Sequence, residues 1–204
     1  MSDITVHKDS IRRKIRARRD AYCDQRGRAH EGEHLLRNWQ RALAEFDIHP
    51  SPQHPVATFY PMEKEPDITG IVGAHHPILL PVLCQSDGHL LKEVAWSLHT
   101  EEDSLIRPNP RFPAQSTADL RGPEAIATAS VVLVAGLAVD RAGTRLGQGG
   151  GWYDRALSFI SAKTPVIACV FDWEYTEELL PREAHDKAVD GILTPTRFID
   201  LKAQ

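Results

Sequence analysis

The sequence predicts an α/β fold with a largely parallel sheet. Three observations carry this. Residues 131–134 and 166–171 are continuously apolar and rich in β-branched side chains, the pattern of strands buried on both faces. Segments of helical periodicity lie between the apolar runs. A glycine-rich turn follows the 131–134 run and leads straight into a helical segment.

The elements follow in order. A helix is expected over 8–25, where Ile11, Ile15 and Tyr22 fall near one face and Arg12, Arg13, Arg16 and Arg19 cover the rest. A second helix, 31–46, carries a stronger stripe in Leu35, Leu36, Trp39, Leu43 and Phe46. The proline-rich HPSPQHP at 49–55 stops it, and a short strand follows at 56–60. Residues 68–74 suit a short helix and 78–83 a buried strand. The half-alternating HLLKEVAW after Gly88 suits a partly exposed strand. Residues 101–123, rich in Pro and polar side chains, read as a long loop. Beyond the 131–134 strand come a helix over 151–162, the strand 166–171 and a last strand at 191–193.

At 204 residues the chain suits one domain, large enough to bury a core without disulfides or a structural metal. Its 42% apolar and 25% charged residues are ordinary globular usage, which excludes disordered and fibrous classes. A net charge of −4 argues against a main task of coating nucleic acid or anionic membrane. The charge is uneven: residues 1–40 hold ten Lys/Arg against six Asp/Glu, and six bases fall between Ile11 and Arg19 with no acid among them. Cys23, Cys84 and Cys169 are far apart and show no zinc-site spacing, so they read as reduced thiols. The ten histidines, His75–His76 included, likewise read as surface or loop residues without metal-ligand spacing. No apolar signal region opens the chain, and its longest apolar stretch, 131–139, is too short to span a bilayer. A cytoplasmic protein is expected, with no membrane and no nucleic-acid partner.

The chemistry concentrates in AGLAVDRAGTRLGQGGGWYDRAL, 135–157. Six glycines within 136–151 let successive backbone N–H groups face one ligand, and the helix that begins next offers a further anion site. Arg145 stands in this loop as a cation. Asp154, in the first helical turn, can stabilise that helix end or hold Mg²⁺. The string is neither a Walker A loop, lacking GK[ST], nor a Rossmann fingerprint with its ribose-binding acid. A nicotinamide-dependent oxidoreductase is therefore disfavoured.

GLAVDRAGTRLGQGGGWYDR resembles the signature of the 5-formyltetrahydrofolate cyclo-ligase (5,10-methenyltetrahydrofolate synthetase) family. KDSIRR near the N-terminus, FYPMEKEPD and AHDKAVDGILTPTRFI resemble further landmarks of that family, in the same order and over nearly the whole chain. The resemblance implies a single three-layer α/β/α domain over 1–204, with the N-terminal basic helix contributing to an ATP site. It also implies ATP- and Mg²⁺-dependent cyclisation of 5-formyltetrahydrofolate to 5,10-methenyltetrahydrofolate, releasing ADP and phosphate. In that reaction the γ-phosphoryl passes to the formyl oxygen, N10 attacks the activated carbon and phosphate departs. The substrate supplies both nucleophiles, so the protein must position two ligands and neutralise phosphate charge.

By position, the resemblance assigns ATP contacts to Lys8, Arg12 and to Arg145, Leu146, Gly147, Gln148, Gly149, Gly150, Gly151, Trp152 and Tyr153, with Arg145 in the catalytic role. It assigns folate contacts to Tyr60, Glu65, Gln148, Gly149, Gly150, Gly151 and Trp152, and magnesium ligands to Asp154 and Asp186, which follows His185. A carboxylate such as Glu65 suits the adjacent N–H groups of a pterin edge. Asp67 is a weaker candidate, better suited to starting the helix after it. Arg13, Lys14, Arg16 and Arg18 read as a solvated face. Trp152 replaces the first Tyr of the family's YYD, and NPRFPAQ at 109–115 lacks the family's Glu, with Phe112 left as an apolar wall. The expected partners are ATP and 5-formyltetrahydrofolate, and the expected state is a monomer. The competing class is a non-catalytic folate- or nucleotide-binding relative that keeps the loop.

Overall fold

The computed structural model describes residues 3–25, 27–183 and 186–203. The apolar runs pair into one sheet whose strand order is β13-β12-β10-β7-β1-β2-β3-β6. Its centre is parallel: β12 (Gly191–Leu193), β10 (Val166–Cys169), β7 (Val131–Ala135), β1 (Val56–Ala57) and β2 (Ile78–Cys84). Its margins are antiparallel, where tight turns return β3 (Leu90–His99) beside β2 and β13 (Phe198–Asp200) beside β12. The outermost strand, β6 (Leu120–Arg121), pairs with β3.

Alternation along the strands feeds two core layers. Val131 and Leu133 of β7 meet Leu35, Trp39 and Ala42 of helix α2 (Arg28–Glu45) and Ile71 of α3 (Thr69–Ala74). Val132 and Val134, pointing the other way, meet Ile126 of the 3₁₀ helix Pro123–Thr128 and Ala156 of α4 (Trp152–Ala156). The result is a three-layer α/β/α arrangement with a largely parallel sheet. Among the described residues, no helix is long and apolar enough to cross a membrane.

Three expectations are corrected. The helix expected over 151–162 is the short α4 followed by a 3₁₀ turn, Leu157–Phe159, because buried Leu157 and half-buried Ile160 pack on one core layer. A three-residue turn eclipses i and i+3, which an α-helix does not. The 101–123 loop is pinned by short strands, β4 (Leu105–Ile106), β5 (Gln115–Ser116) and β6. There the buried Gln115 amide accepts from Leu83 and Cys84 N–H and donates to Cys84 O, replacing strand pairing where the β2–β3 register shifts. Finally, helix α1 spans Asp3–Cys23 and buries two cations, Lys8 and Arg19, while Ile11, Ile15 and Tyr22 are only half-buried. The basic N-terminal segment is thus docked through charge.

Trp39 Nε1 donates to His75 Nε2 at 2.8 Å, which requires a neutral imidazole. Burial, and secondarily His76, pulls the His75 pKa below its ordinary value. The unfolded chain therefore takes up a proton that the native state resists, and stability falls as pH drops through the ordinary histidine pKa of about 6.5. Urea unfolding between pH 7.5 and 5.5 is expected to show a flatter slope in His75→Asn than in the parent. Equal slopes would reject this coupling.

Candidate active site

The site grows from the break after β7. The chain passes Gly136, forms the hairpin of β8 (Ala138–Asp140) and β9 (Arg145–Leu146), and then runs through 147–151 into α4. Buried Asp140 locks the hairpin. Its Oδ1 accepts from Ala142 and Thr144 N–H at 2.9 and 2.8 Å, and its Oδ2 from Leu180 N–H at 2.8 Å. Gly149 has φ +101° and Gly151, which starts α4, has φ +62°, conformations that favour glycine. A Cβ on Gly149 would also sit 3.4 Å from the Arg12 guanidinium.

Helix α1 lies against this loop. Arg12 Nε donates to Gly147 O at 2.9 Å and its Nη1 to Asp9 at 2.6 Å. Arg16 donates to both Gln148 O and Gln148 Oε1, at 2.8 and 3.0 Å. Arg19 donates to Gly136 O at 2.7 Å and grips Glu174 with two bonds of 2.5 and 2.8 Å. At the helix start, Lys8 Nζ reaches Asp186 and Glu183 at 2.6 and 2.7 Å. Burial lowers the Lys8 pKa, but its hydrogen bonds to these two carboxylates outweigh burial and leave it above the ordinary value. Arg145, buried, donates to Asp154 at 2.9 Å and to Ala135 O at 3.3 Å, while its buried Nε has no hydrogen-bond partner among the described residues.

These groups surround one cleft of ≈ 1010 Å³. Of the residues singled out in the sequence, Lys8, Arg12, Glu65, Phe112, Arg145, Leu146, Gly147, Gln148, Gly149, Gly150, Gly151, Trp152, Tyr153, Asp154 and Asp186 all line it. Tyr60 does not; its neighbour Phe59 does. Asp67 accepts from Thr69 N–H and Oγ and pairs with Arg28, a helix-starting arrangement apart from the cleft. His185 lies outside the described residues.

Sequence reasoning passed over several wall residues. Arg16, read as a solvated side chain, contacts the loop, and Arg19, Lys64, Arg107, Arg111 and Glu183 also line the cleft. The 4- and 3-residue steps from Arg12 to Arg16 to Arg19 were the available signal, since they set three guanidiniums on one helical stripe. The histidine reading also needs a correction. His99 is a strand residue, not a surface or loop one: it is buried on β3 and pairs through Nδ1 with Ser116 Oγ. Among the described residues, no group of three His, Cys, Asp or Glu could hold a metal.

Glu65 and Tyr153 in the cleft also have displaced ionisation. Burial raises the Glu65 pKa, against the opposing pull of the Met62 N–H, Arg19 and Arg28. Burial likewise pushes the Tyr153 phenol upward. Trp152 packs edge-on between Trp96 and Tyr153, with centroids 5.0 and 5.1 Å away, and its buried Nε1 has no hydrogen-bond partner among the described residues.

Known proteins resemble both the sequence and this architecture. The chain is 36% identical over 157 residues to a 5-formyltetrahydrofolate cyclo-ligase of Mycolicibacterium smegmatis, covering 71% of this chain and 75% of that one. It is 40% identical over 78 residues to a human methenyltetrahydrofolate synthase domain-containing protein, but spans only 20% of that longer chain. The solved 5,10-methenyltetrahydrofolate synthetase of Aquifex aeolicus superposes with a TM-score of 0.72 at 22% identity, covering 96% of this chain and 93% of that one. The synthetase of Mycoplasma pneumoniae superposes at 0.61 and 15% identity, covering 91% and 97%. These two likenesses establish the fold. The model of the 5-formyltetrahydrofolate cyclo-ligase family matches residues 4–195, from the first turn of α1 to just past β12. With a match of that span and a curated relative aligned over most of both chains, this chain belongs to the 5-formyltetrahydrofolate cyclo-ligase family.

Proposed function

We propose that the cleft carries out the ATP- and Mg²⁺-dependent cyclisation of 5-formyltetrahydrofolate to 5,10-methenyltetrahydrofolate, with release of ADP and phosphate. The observation that carries the reading is convergence. Cations from α1, a glycine-rich loop, a half-buried carboxylate and two further aspartates reach one cleft from both ends of the chain. The formyl oxygen is a poor leaving group, so it first accepts the γ-phosphoryl. N10 then attacks the same carbon, and the C–O bond breaks to release phosphate. No protein nucleophile is needed, and the residues bind, orient and neutralise.

The donor set fits a nucleoside triphosphate and its metal. Arg145 lines the cleft and is held by Asp154 and Ala135 O, a cation already oriented for a transferring phosphoryl group. Lys8 and Arg12 supply further positive charge along the polyphosphate, and Leu146 to Tyr153 form the cradle. Asp154 and Asp186 would hold Mg²⁺, which commonly needs only one or two carboxylates and keeps several waters. When bound, the ion neutralises phosphate oxygens. Trp152 offers a flat apolar face for a planar ring, and Glu65 an acceptor for the donor edge of the pterin. Every group in the scheme comes from one chain, so a monomer suffices.

The test is to follow absorbance of the methenyl-folate band with 5-formyltetrahydrofolate, with and without Mg·ATP. Growth of the band only with Mg·ATP is expected. A folded protein that binds folate or ATP without turnover would instead be a non-catalytic relative. A pH signature accompanies the reading. Because burial raises the Glu65 pKa, its carboxylate is lost at higher pH than an ordinary glutamate, so folate affinity weakens as pH falls through that raised value. Glu65→Gln is expected to bind folate on the order of tenfold to a hundredfold more weakly near neutral pH and to lose this acid-side decline. An unchanged pH profile would remove Glu65 from the pterin site.

A further inference from the structure

We infer that Arg16 and Arg19 are positioning residues of the glycine-rich loop, acting on its peptide planes rather than on a ligand. With Arg12 they form one stripe along α1, and all three donate to main-chain carbonyls that flank the β8–β9 hairpin: Arg12 to Gly147 and Arg16 to Gln148 after it, Arg19 to Gly136 before it. A trans peptide is planar, with C=O and N–H pointing in opposite directions. When Arg12 and Arg16 hold the carbonyls of Gly147 and Gln148, the N–H groups of Gln148 and Gly149 are turned away from the arginines. Arg19 does the same before the hairpin. It holds Gly136 O, and the N–H of that peptide, on Leu137, donates to Leu146 O at 2.7 Å. The helix thereby sets both the start of the hairpin and the orientation of the loop that follows it.

The loop needs such a device. The run 147–151 contains four glycines, whose backbones are the least restricted of any residue, and the side chains of Arg12 and Arg16 are what engage its first two carbonyls among the described residues. An unordered glycine loop must lose that freedom when it closes on an anion, and affinity falls accordingly. Holding the peptides beforehand removes much of that cost. This consequence for ATP rests on the function proposed above, whereas the ordering of the loop does not.

Arg16 is the residue to test, because its side chain is exposed and makes no buried ion pair, so its replacement strands no charge. The ligand-free protein is labelled with ¹⁵N, and heteronuclear NOE values are measured at Gln148 and Gly149 in the parent, Arg16→Gln and Arg16→Lys. KM for ATP and kcat are measured alongside. In Arg16→Gln the two NOE values are expected to drop and KM for ATP to rise about tenfold, with kcat changed less than twofold and the melting temperature unmoved. Arg16→Lys, which keeps the charge without the planar fork, is expected to restore less than half of the effect. Unchanged NOE values would overturn the inference: with a raised KM they would mark a direct phosphate contact, and with an unchanged KM an idle surface side chain. Should the protein turn out to have no ATP-dependent turnover, the NOE values in the absence of ligand still decide the positioning role.

Discussion

Arg145→Ala is expected to lower kcat/KM for ATP by roughly two to three orders of magnitude, the loss typical of removing one pre-oriented donor to developing charge. The guanidinium is buried on β9, tied to Asp154 at 2.9 Å, and flanked by the glycine loop it precedes. Loss of the fold is not expected, because Asp154, freed of its partner, is about a quarter exposed and can be met by water. Arg145→Lys retains the charge but loses the planar array of donors, so it should fall between parent and alanine. The measurements are steady-state kinetics at varied Mg·ATP together with circular dichroism. A folded Arg145→Ala protein with near-parent kinetics would remove the catalytic role proposed for Arg145.

The largest stability effect is expected at the opposite end of the α1 stripe. Arg19 and Glu174 form an ion pair that is all but sealed from solvent, their side chains 4% and 0% exposed. Arg19 also serves Gly136 O, and Glu174 accepts from Phe171 N–H. Taking both charges out of water is costly, and their mutual contacts compensate for it. Removing one partner leaves a buried charge without its main counter-charge. Glu174→Ala should therefore lose about 3–5 kcal/mol in urea unfolding. The double replacement Arg19→Met with Glu174→Leu should recover a large part of that loss, since neither buried charge then remains. If the single variant is as stable as the parent, the pair does not anchor α1. If the double variant is no better than the single one, packing rather than charge carries the effect.

Much of the architecture was legible because its signals are local. The runs 131–134 and 166–171 could be read as doubly buried strands, and they are β7 and β10, adjacent and parallel at the sheet centre. The stripe from Leu35 to Trp39 and Leu43 identified α2 by the same logic. Where local signal was ambiguous the reading failed. The residues 157–162 have no helix breaker before Pro165, yet tertiary packing of Leu157 and Ile160 ends the helix early. In 101–123, Gln115 looks like any polar loop residue until β2 and β3 present unpaired peptide groups to it.

The site divides in the same way. The sequence by itself determined the chemistry available: glycines where backbone must approach a ligand, an arginine and an aspartate beside them, a basic helix at one end and acids near the other. Only the tertiary structure decided how those charges are used. Lys8 meets Asp186 across nearly the whole length of the chain, Arg16 reaches a loop carbonyl while staying exposed, and Tyr60 is left out of the cleft while Glu65 enters it. The reason is physical. Periodicity states which residues share a face, but the partner that neutralises a charge or accepts a hydrogen bond lies on another element, and its distance exists only once the chain has folded.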